Sequence, residues 1–345
     1  MGLQFKELVV KKEISISDLK GKVLAIDAMN MLYQFLTTIR SPDGSVLTDS
    51  KGRVTSHLIG LFSRTTSLME QGLKLVFVFD GKPPEIKQKT WEKRTAVKKE
   101  ASLRLKEAKE EGDIESMRKF AARTAVLTKD MRDDAKAVIN ALGLPMVQAP
   151  SEGEAQAAQM AKNGDAYASV SQDYDNLIFG SPLLVRNLSI EGRRKKAGQF
   201  AYQKVNPELI SLSEVLDHLK LNLDQLIVLA ILVGTDYNPG GVKGIGPKTG
   251  LKLLKEYGTD FEAIFAKVEW KKHYPDMRWQ EVFDTIKQIP TTDEYKLEWK
   301  KIDEAKLLKL LVEERNFGEE RVRTKLEKLK EVQKEMSQKG LKNFF

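Results

Sequence analysis

The sequence predicts an α/β protein: a mostly parallel, twisted sheet flanked by helices. Three features lead there. Short apolar runs rich in β-branched residues alternate with segments of helical periodicity. The runs are apolar at successive positions, as strands buried on both faces are. Hydrophobic residues make up 41% of the 345, enough for a sizeable core beside 31% charged.

In chain order, residues 22–27 and 74–80 are the clearest strands, and 165–171 is a weaker third. Residues 183–186 and 198–202 are further short strands. Helical patterns cover 29–39, 56–70 and 131–142. Between Lys82 and Lys109 stand ten Lys/Arg against four Glu, with few apolar residues. That stretch favours helix by propensity yet has little to bury. Glu111-Gly-Asp113 breaks it, and a second helix follows. It is either a solvated surface hairpin or a basic cover that orders over a polyanion. Residues 212–234 form an apolar helical stretch, and 303–334 a charged helical tail.

Composition excludes several functions. With no cysteine there is no disulfide scaffold, thiol catalysis or Cys-ligated metal. His57, His218 and His273 are too scattered for a His-rich metal site. No run of 18 apolar residues suggests a membrane span, and the N-terminus lacks a signal pattern. Fifty-seven Lys+Arg against 49 Asp+Glu leave a net charge of +8, which favours polyanionic partners inside the cell.

Acidic residues recur where strands end. Asp27 closes the first strand, Asp80 the second, and Asp173 and Asp175 follow the third. In a parallel sheet the carboxyl ends of strands line one ligand-binding edge. Glu152, Glu154 and Asp236 add three more acids. Singly each has a plainer role. Asp27 can cap a helix, Ser151 and Glu154 have capping-box spacing, and Asp173-Tyr-Asp175 can be a turn. Together they would repel one another unless cations or protons intervene. Hard oxygen ligands without imidazole or sulfur select Mg²⁺ or Mn²⁺. Two such ions can clamp a phosphodiester for hydrolysis.

The cationic counterpart is Lys87 and Arg94, seven residues apart and so on one helical face. They either meet a scissile phosphate or are two solvated charges among many. Tyr33, on the helix after Asp27, can stack on an unpaired base or pack as a core tyrosine. Gly244-Ile-Gly-Pro-Lys248 with Lys243 has the make-up of a hairpin between helices that grips duplex backbone; a glycine-rich turn is the alternative. At the C-terminus, Gln338, Leu341, Phe344 and Phe345 form a Q-x-x-aliphatic-x-x-aromatic-aromatic pattern, suited to docking in an apolar pocket unless both rings pack back.

Gly2, the Asp27 strand end, Phe77-Val-Phe-Asp80-Gly-Lys-Pro-Pro84, Ser151-Glu152-Gly-Glu154, Ser171-Gln-Asp173-Tyr-Asp175, Gly234-Thr-Asp236-Tyr237, the hairpin and the tail occur in one order. In that combination, over essentially the whole chain, the sequence resembles the flap endonucleases of the XPG-like family of structure-specific 5′ nucleases. The resemblance implies a PIN-like nuclease core with a helical cap and a helix–two-turn–helix module. It implies two Mg²⁺ ions, with Mn²⁺ able to substitute, at Asp27, Asp80, Glu152, Glu154, Asp173, Asp175 and Asp236. Lys87 and Arg94 become catalytic contacts to the scissile phosphate. DNA contacts are implied at Gly2, Tyr33, Arg40, Thr55, Arg64, Lys243, Gly244, Gly246, Lys248 and Arg315, with Arg40, Thr55, Arg64 and Arg315 near a pocket for a one-nucleotide 3′ flap. A monovalent cation such as K⁺ is implied around Val242 and Ile245, and the tail resembles a peptide that binds the PCNA sliding clamp.

The implied organisation is a nuclease region in two parts (1–84 and 131–215), a basic cap at 85–130 and a DNA-binding module at 216–260. A C-terminal helical region (261–336) and a clamp tail (337–345) follow. The expected activity is cleavage near the base of a 5′ flap, with 5′–3′ exonuclease action, by a chain monomeric on its own. Ending at the clamp motif without a basic nuclear-targeting tail makes the chain look archaeal and cytoplasmic; a eukaryotic source would make it nuclear. The rivals are a sibling nuclease acting on gaps or ends, a non-enzymatic adaptor, and a haloacid-type phosphatase. The last is disfavoured because Asp27-Ala-Met29 lacks its second acid.

Overall fold

The computed structural model describes residues 3, 5–189, 194–195, 202–203 and 205–342, with backbone only at 88–94, 109, 118, 122, 194–195, 202–203, 333 and 335–342. Among the described residues there are nine strands: β1 (Lys12–Glu13), β2 (Val23–Asp27), β3 (Lys74–Phe79), β4 (Met146–Gln148), β5 (Ala168–Val170), β6 (Leu183–Arg186), β7 (Arg194–Lys195), β8 (Tyr202–Gln203) and β9 (Glu208–Ser211). The helices of the first half are α1 (Ala28–Thr38), α2 (Ser56–Glu70), α3 (Gln88–Glu111), α4 (Ile114–Arg123), α5 (Lys129–Ala141), α6 (Gly153–Lys162) and α7 (Asp175–Ile178). Those of the second half are α8 (Leu212–Leu219), α9 (Leu223–Val233), α10 (Pro247–Tyr257), α11 (Phe261–Lys267), α12 (Trp270–His273), α13 (Trp279–Lys287), α14 (Glu304–Leu308) and α15 (Glu319–Lys342). None is long and apolar enough among the described residues to cross a membrane.

Seven strands form one sheet in the order β1-β9-β6-β5-β2-β3-β4. From β6 to β4 every neighbour is parallel; β9 and β1 join antiparallel at one edge. The chain runs from β2 to β3 and β4 on one side, then returns to place β5 and β6 on the other. The order therefore reverses at β2, and its carboxyl end is the switch-point crevice of the sheet.

The central strands β2 and β3 are apolar at successive positions, Leu24–Ile26 and Leu75–Phe79, because both faces are covered. Leu24, Ile26, Leu75 and Phe77 join a core with α1, α2, α5 and α15. Their neighbours Ala25, Val76 and Val78 join another beneath α6. A third core gathers α7–α13 around helix α9, which is buried from Leu226 to Leu232.

Three departures from the sequence reading have local causes. Residues 212–234 are two helices: Lys220 turns into the left-handed region at φ 56°, and the Asn222 side chain caps α9. The charged tail breaks at Asn316, also left-handed, before α15 begins. Residues 290–302 form no helix or strand but an extended strap over the α6 face. Gln156 and Thr292 exchange two bonds of 2.8 Å there, and the Trp299 ring N–H donates to the Leu75 carbonyl at 3.2 Å. Strands β1, β4, β7 and β9, two to four residues long, are too short to show a period and lie outside the strands read from the sequence. Of the expected strand at 198–202, residues 198–201 lie outside the described residues.

Candidate metal centre and nucleic-acid interface

Parallel register brings the acids together. Asp27 pairs across from Val78, so Asp80, the residue after β3, emerges just beyond it. On the other side Ile26 pairs with Val170, and Asp173 and Asp175 follow within five residues. Helix α6 starts over the same edge with Glu152 at its N-cap and Glu154 in its first turn. The Asp80 carboxylate accepts from the Gly153 N–H at 2.7 Å. A Cβ on Gly153 would sit 2.7 Å from that same oxygen, so the approach of α6 to β3 needs glycine.

The plainer readings of single acids fare unevenly. Asp27 does cap α1, accepting from the Asn30 N–H at 3.0 Å, while buried among the other acids. Glu154 closes no capping box: it accepts from the Ser171 hydroxyl at 2.8 Å. Asp175 accepts from the Leu3 N–H at 3.0 Å, which ties the N-terminal segment to the site. Gly2 itself lies outside the described residues.

Electrostatics set the demand for a cation. Burial, then the charges of Asp80 and Asp173, push Asp27 well above the usual carboxylate range. Glu154 is raised the same way by burial and by Asp175, Asp27 and Asp173. Asp175 is pushed up to about 7 by burial, Asp236 and Asp173. Burial also raises Asp80 and Glu152, against opposing help from Lys87. Lys87 is the internal counter-ion: its Nζ lies 2.6 Å from Glu152 Oε2 and 3.6 Å from Asp236 Oδ2. Burial alone would favour its neutral form, but those two carboxylates overcome it and keep it charged. The ammonium also sits 5.3 Å from the centre of the Tyr237 ring.

Among the described residues, no three of these side chains close around one ion-sized point as they stand. The donor set nonetheless fits hard divalent ions. Glu152 Oε1 is buried with no hydrogen-bond partner, and the ligand types are all oxygen.

The predicted cationic pair is only half visible. Lys87 lies in a 3₁₀ turn, Glu85–Lys87, ahead of α3, so the helical-spacing argument linking it to Arg94 does not hold in that form. The Arg94 side chain lies outside the described residues. Helices α3 and α4 pack together through the small buried residues Ala101, Ala108 and Ala121, leaving Val97, Leu103 and Ile114 exposed. Tyr33 is half-buried at the edge of the core, with Lys98 Nζ of α3 5.6 Å above its ring.

The hairpin lies between α9 and α10. Gly244 has φ 87°, Gly246 is the N-cap of α10 and Pro247 opens that helix. Lys243, Gly244 and Lys248 are exposed; Val242 is buried and its carbonyl accepts from Ile245. The four residues expected beside a 3′ flap differ. Arg40 donates to the Gly44 carbonyl at 2.8 Å and keeps two buried nitrogens without partners. Thr55 and Arg64 are buried, with Arg64 donating to the Leu188 carbonyl at 2.7 Å. Arg315 forms a two-pronged pair with Asp134 at 2.6 and 2.7 Å. The tail residues Gln338 and Leu341 are described by backbone only, and Phe344 and Phe345 lie outside the described residues.

Sequence reasoning missed the residues that hold the acids in place. Arg186 donates to the Gln172 carbonyl at 3.0 Å and to the Tyr174 hydroxyl, on either side of Asp173. The buried Asn238 carboxamide binds Thr235 and the Ile231 carbonyl, shaping the turn that carries Asp236. The Tyr274 hydroxyl reaches the carbonyls of Asn238 and Gly241 in the same turn. Arg186, a charge closing the apolar run 183–185, offers a sequence signal; Asn238 and Tyr274 lie in polar turns and offer none.

Models of the XPG N-terminal domain and the XPG I-region match residues 3–101 and 143–236. The chain is 51% identical to flap endonuclease 1 of Pyrococcus abyssi over 345 residues, covering 100% of this chain and 98% of that protein. It is 50% identical to that of Aeropyrum pernix over 97% of this chain and 96% of the other. The solved flap endonuclease-1 from Methanococcus jannaschii superposes with a TM-score of 0.76 at 43% identity, covering 96% and 98% of the two chains. The catalytic core of Rad2 in complex with a DNA substrate shares the fold, with a TM-score of 0.71 at 22% identity over 95% and 100% of the chains. By sequence over its full length and by backbone, the chain belongs to the flap endonuclease 1 family of XPG-type nucleases.

Proposed function

We propose that this chain is a Mg²⁺-dependent, structure-specific 5′-flap endonuclease with 5′–3′ exonuclease activity, leaving a 5′-phosphate. The observation that carries the reading is the gathering of seven carboxylates, without histidine, at the switch point of the sheet beside a basic helical pair. Asp27, Asp80, Glu152, Glu154, Asp173, Asp175 and Asp236 would hold two Mg²⁺ ions or, in their place, Mn²⁺. Bound there, the ions would neutralise the phosphodiester and make water a competent nucleophile near neutral pH.

The protein's own groups do the rest. Lys87 exchanges its carboxylate partners for the scissile phosphate and stabilises the charge that develops on it, with Arg94 acting beside it. The Tyr33 ring offers a stacking surface for the terminal base once Lys98 moves aside. The exposed N–H groups and lysines of the hairpin grip the duplex backbone without reading sequence, with a K⁺ ion held near Val242 and Ile245. Arg40, with two unpartnered nitrogens, is the best placed of the four 3′-flap candidates. The basic pair α3–α4 caps the path of a free 5′ end. The junction is then recognised by its bend and backbone. Through Gln338, Leu341, Phe344 and Phe345 the chain would dock on a sliding clamp. Its setting would be Okazaki-fragment maturation and long-patch base excision repair in an archaeal cytoplasm.

The deciding experiment is cleavage of end-labelled double-flap, 5′-flap, gapped, blunt and single-stranded substrates with Mg²⁺ or EDTA. Mg²⁺-dependent incision at the base of the double flap is expected. Preference for gaps or blunt ends would assign a sibling activity instead, and binding without incision would leave only an adaptor.

A further inference from the structure

We infer that Asn30 is a positioning residue for the divalent-cation site, setting the direction of the Asp173 carboxylate relative to Asp27. The inference rests on the metal reading of the acidic cluster. Asn30 is the third residue of α1. Its backbone N–H donates to Asp27 at 3.0 Å, which any residue there would do. The carboxamide is what is particular. Its Nδ2 donates to Asp173 Oδ2 at 2.9 Å, and its Oδ1 accepts from the Gln172 N–H at 3.2 Å. One residue thus touches the acid that ends β2 and the acid that follows β5, 143 positions further along the chain.

The chemistry of the position narrows the choice of side chain. It must donate to a carboxylate and accept from an amide without adding charge. Aspartate would set a further negative charge against Asp173, and serine is one bond shorter. Asparagine is also a weak helix former, so helix propensity does not account for it at this position. The Asp173 loop has other anchors: Arg186 holds the carbonyl of Gln172, and the Asp173 N–H donates to Ser171 Oγ at 3.2 Å. Removing the carboxamide therefore frees the Asp173 carboxylate to turn while the loop stays in place. Partners of this kind behind metal ligands change affinity by about 10–100-fold when lost.

The test uses full-length wild type, Asn30→Ala and Asn30→Ser. Mn²⁺ affinity is read by electron paramagnetic resonance without DNA. Mg²⁺ dependence of single-turnover cleavage, melting temperature in EDTA, and flap-DNA affinity in EDTA complete the set. Both variants should bind Mn²⁺ about 10-fold more weakly or worse. Half-saturating Mg²⁺ should rise by a similar factor, cleavage at saturating Mg²⁺ should recover, and melting and DNA affinity should not move. Mn²⁺ affinity within twofold of wild type would overturn the assignment, as would a fall in EDTA melting temperature in both variants. A wild type that binds no Mn²⁺ would fail the metal reading itself, an outcome distinct from variants that match a binding wild type.

Discussion

Replacing His57 by phenylalanine should change the acid limb of the protein's stability profile. His57 is fully buried in the first turn of α2, and neither ring nitrogen closes a hydrogen bond. Burial lowers its pKa from 6.5 to about 4, although the Asp134 carboxylate offsets part of the effect. The folded state therefore holds the ring neutral while the unfolded chain takes up a proton near pH 6.5. The resulting stability is complete above that pH and is lost as pH falls toward the folded value. Two and a half pH units at ~1.4 kcal/mol each amount to about 3 kcal/mol between pH 7 and pH 4. The raised carboxylates at the sheet edge act in the opposite direction, since the folded state holds their protons more tightly. The difference between wild type and His57→Phe isolates the ring. Urea unfolding in EDTA, followed by tryptophan fluorescence at pH 7, 6, 5 and 4, would measure it. Wild type should lose about 3 kcal/mol more than the variant over that range. Parallel profiles would refute the claim that a neutral imidazole is held there.

Lys87→Met keeps the aliphatic stem and removes the charge beside Glu152 and Asp236; single-turnover cleavage should fall about 10²–10³-fold. Mn²⁺ binding without DNA should tighten, because Glu152 loses its internal counter-ion; unchanged cleavage would remove Lys87 from the phosphate. Asp173→Ala should retain flap binding in gel shift yet lose Mg²⁺-dependent incision, and full incision would exclude it as a metal ligand. Deleting residues 338–345 should abolish calorimetric binding to the PCNA clamp while sparing clamp-free cleavage, and equal clamp affinity would reject the docking role.

Much of the site could be read from the chain because its chemistry is tied to local pattern. An apolar run that ends in Asp27 or Asp80 says both that a strand stops and where its acid points, since parallel strands share one carboxyl edge. The missing cysteines and scattered histidines narrowed the ligand chemistry to oxygen. Periodicity likewise placed α1, α2 and α5 within two residues of their observed ends. What periodicity does not carry is the identity of distant partners. Lys87 meets Glu152 across 65 residues and Asn30 meets Asp173 across 143, and both pairings follow from where β5 and α6 lie beside β2 and β3. Lys87 read as a solvated or phosphate-facing charge until its carboxylate partners were in place. The break at Lys220 and the strap at 290–302 were hidden for a related reason. A left-handed residue or an extended segment held by Gln156 and Leu75 has no period of its own. Composition and spacing determined which atoms this protein brings to its edge; only the strand order decided which of them touch.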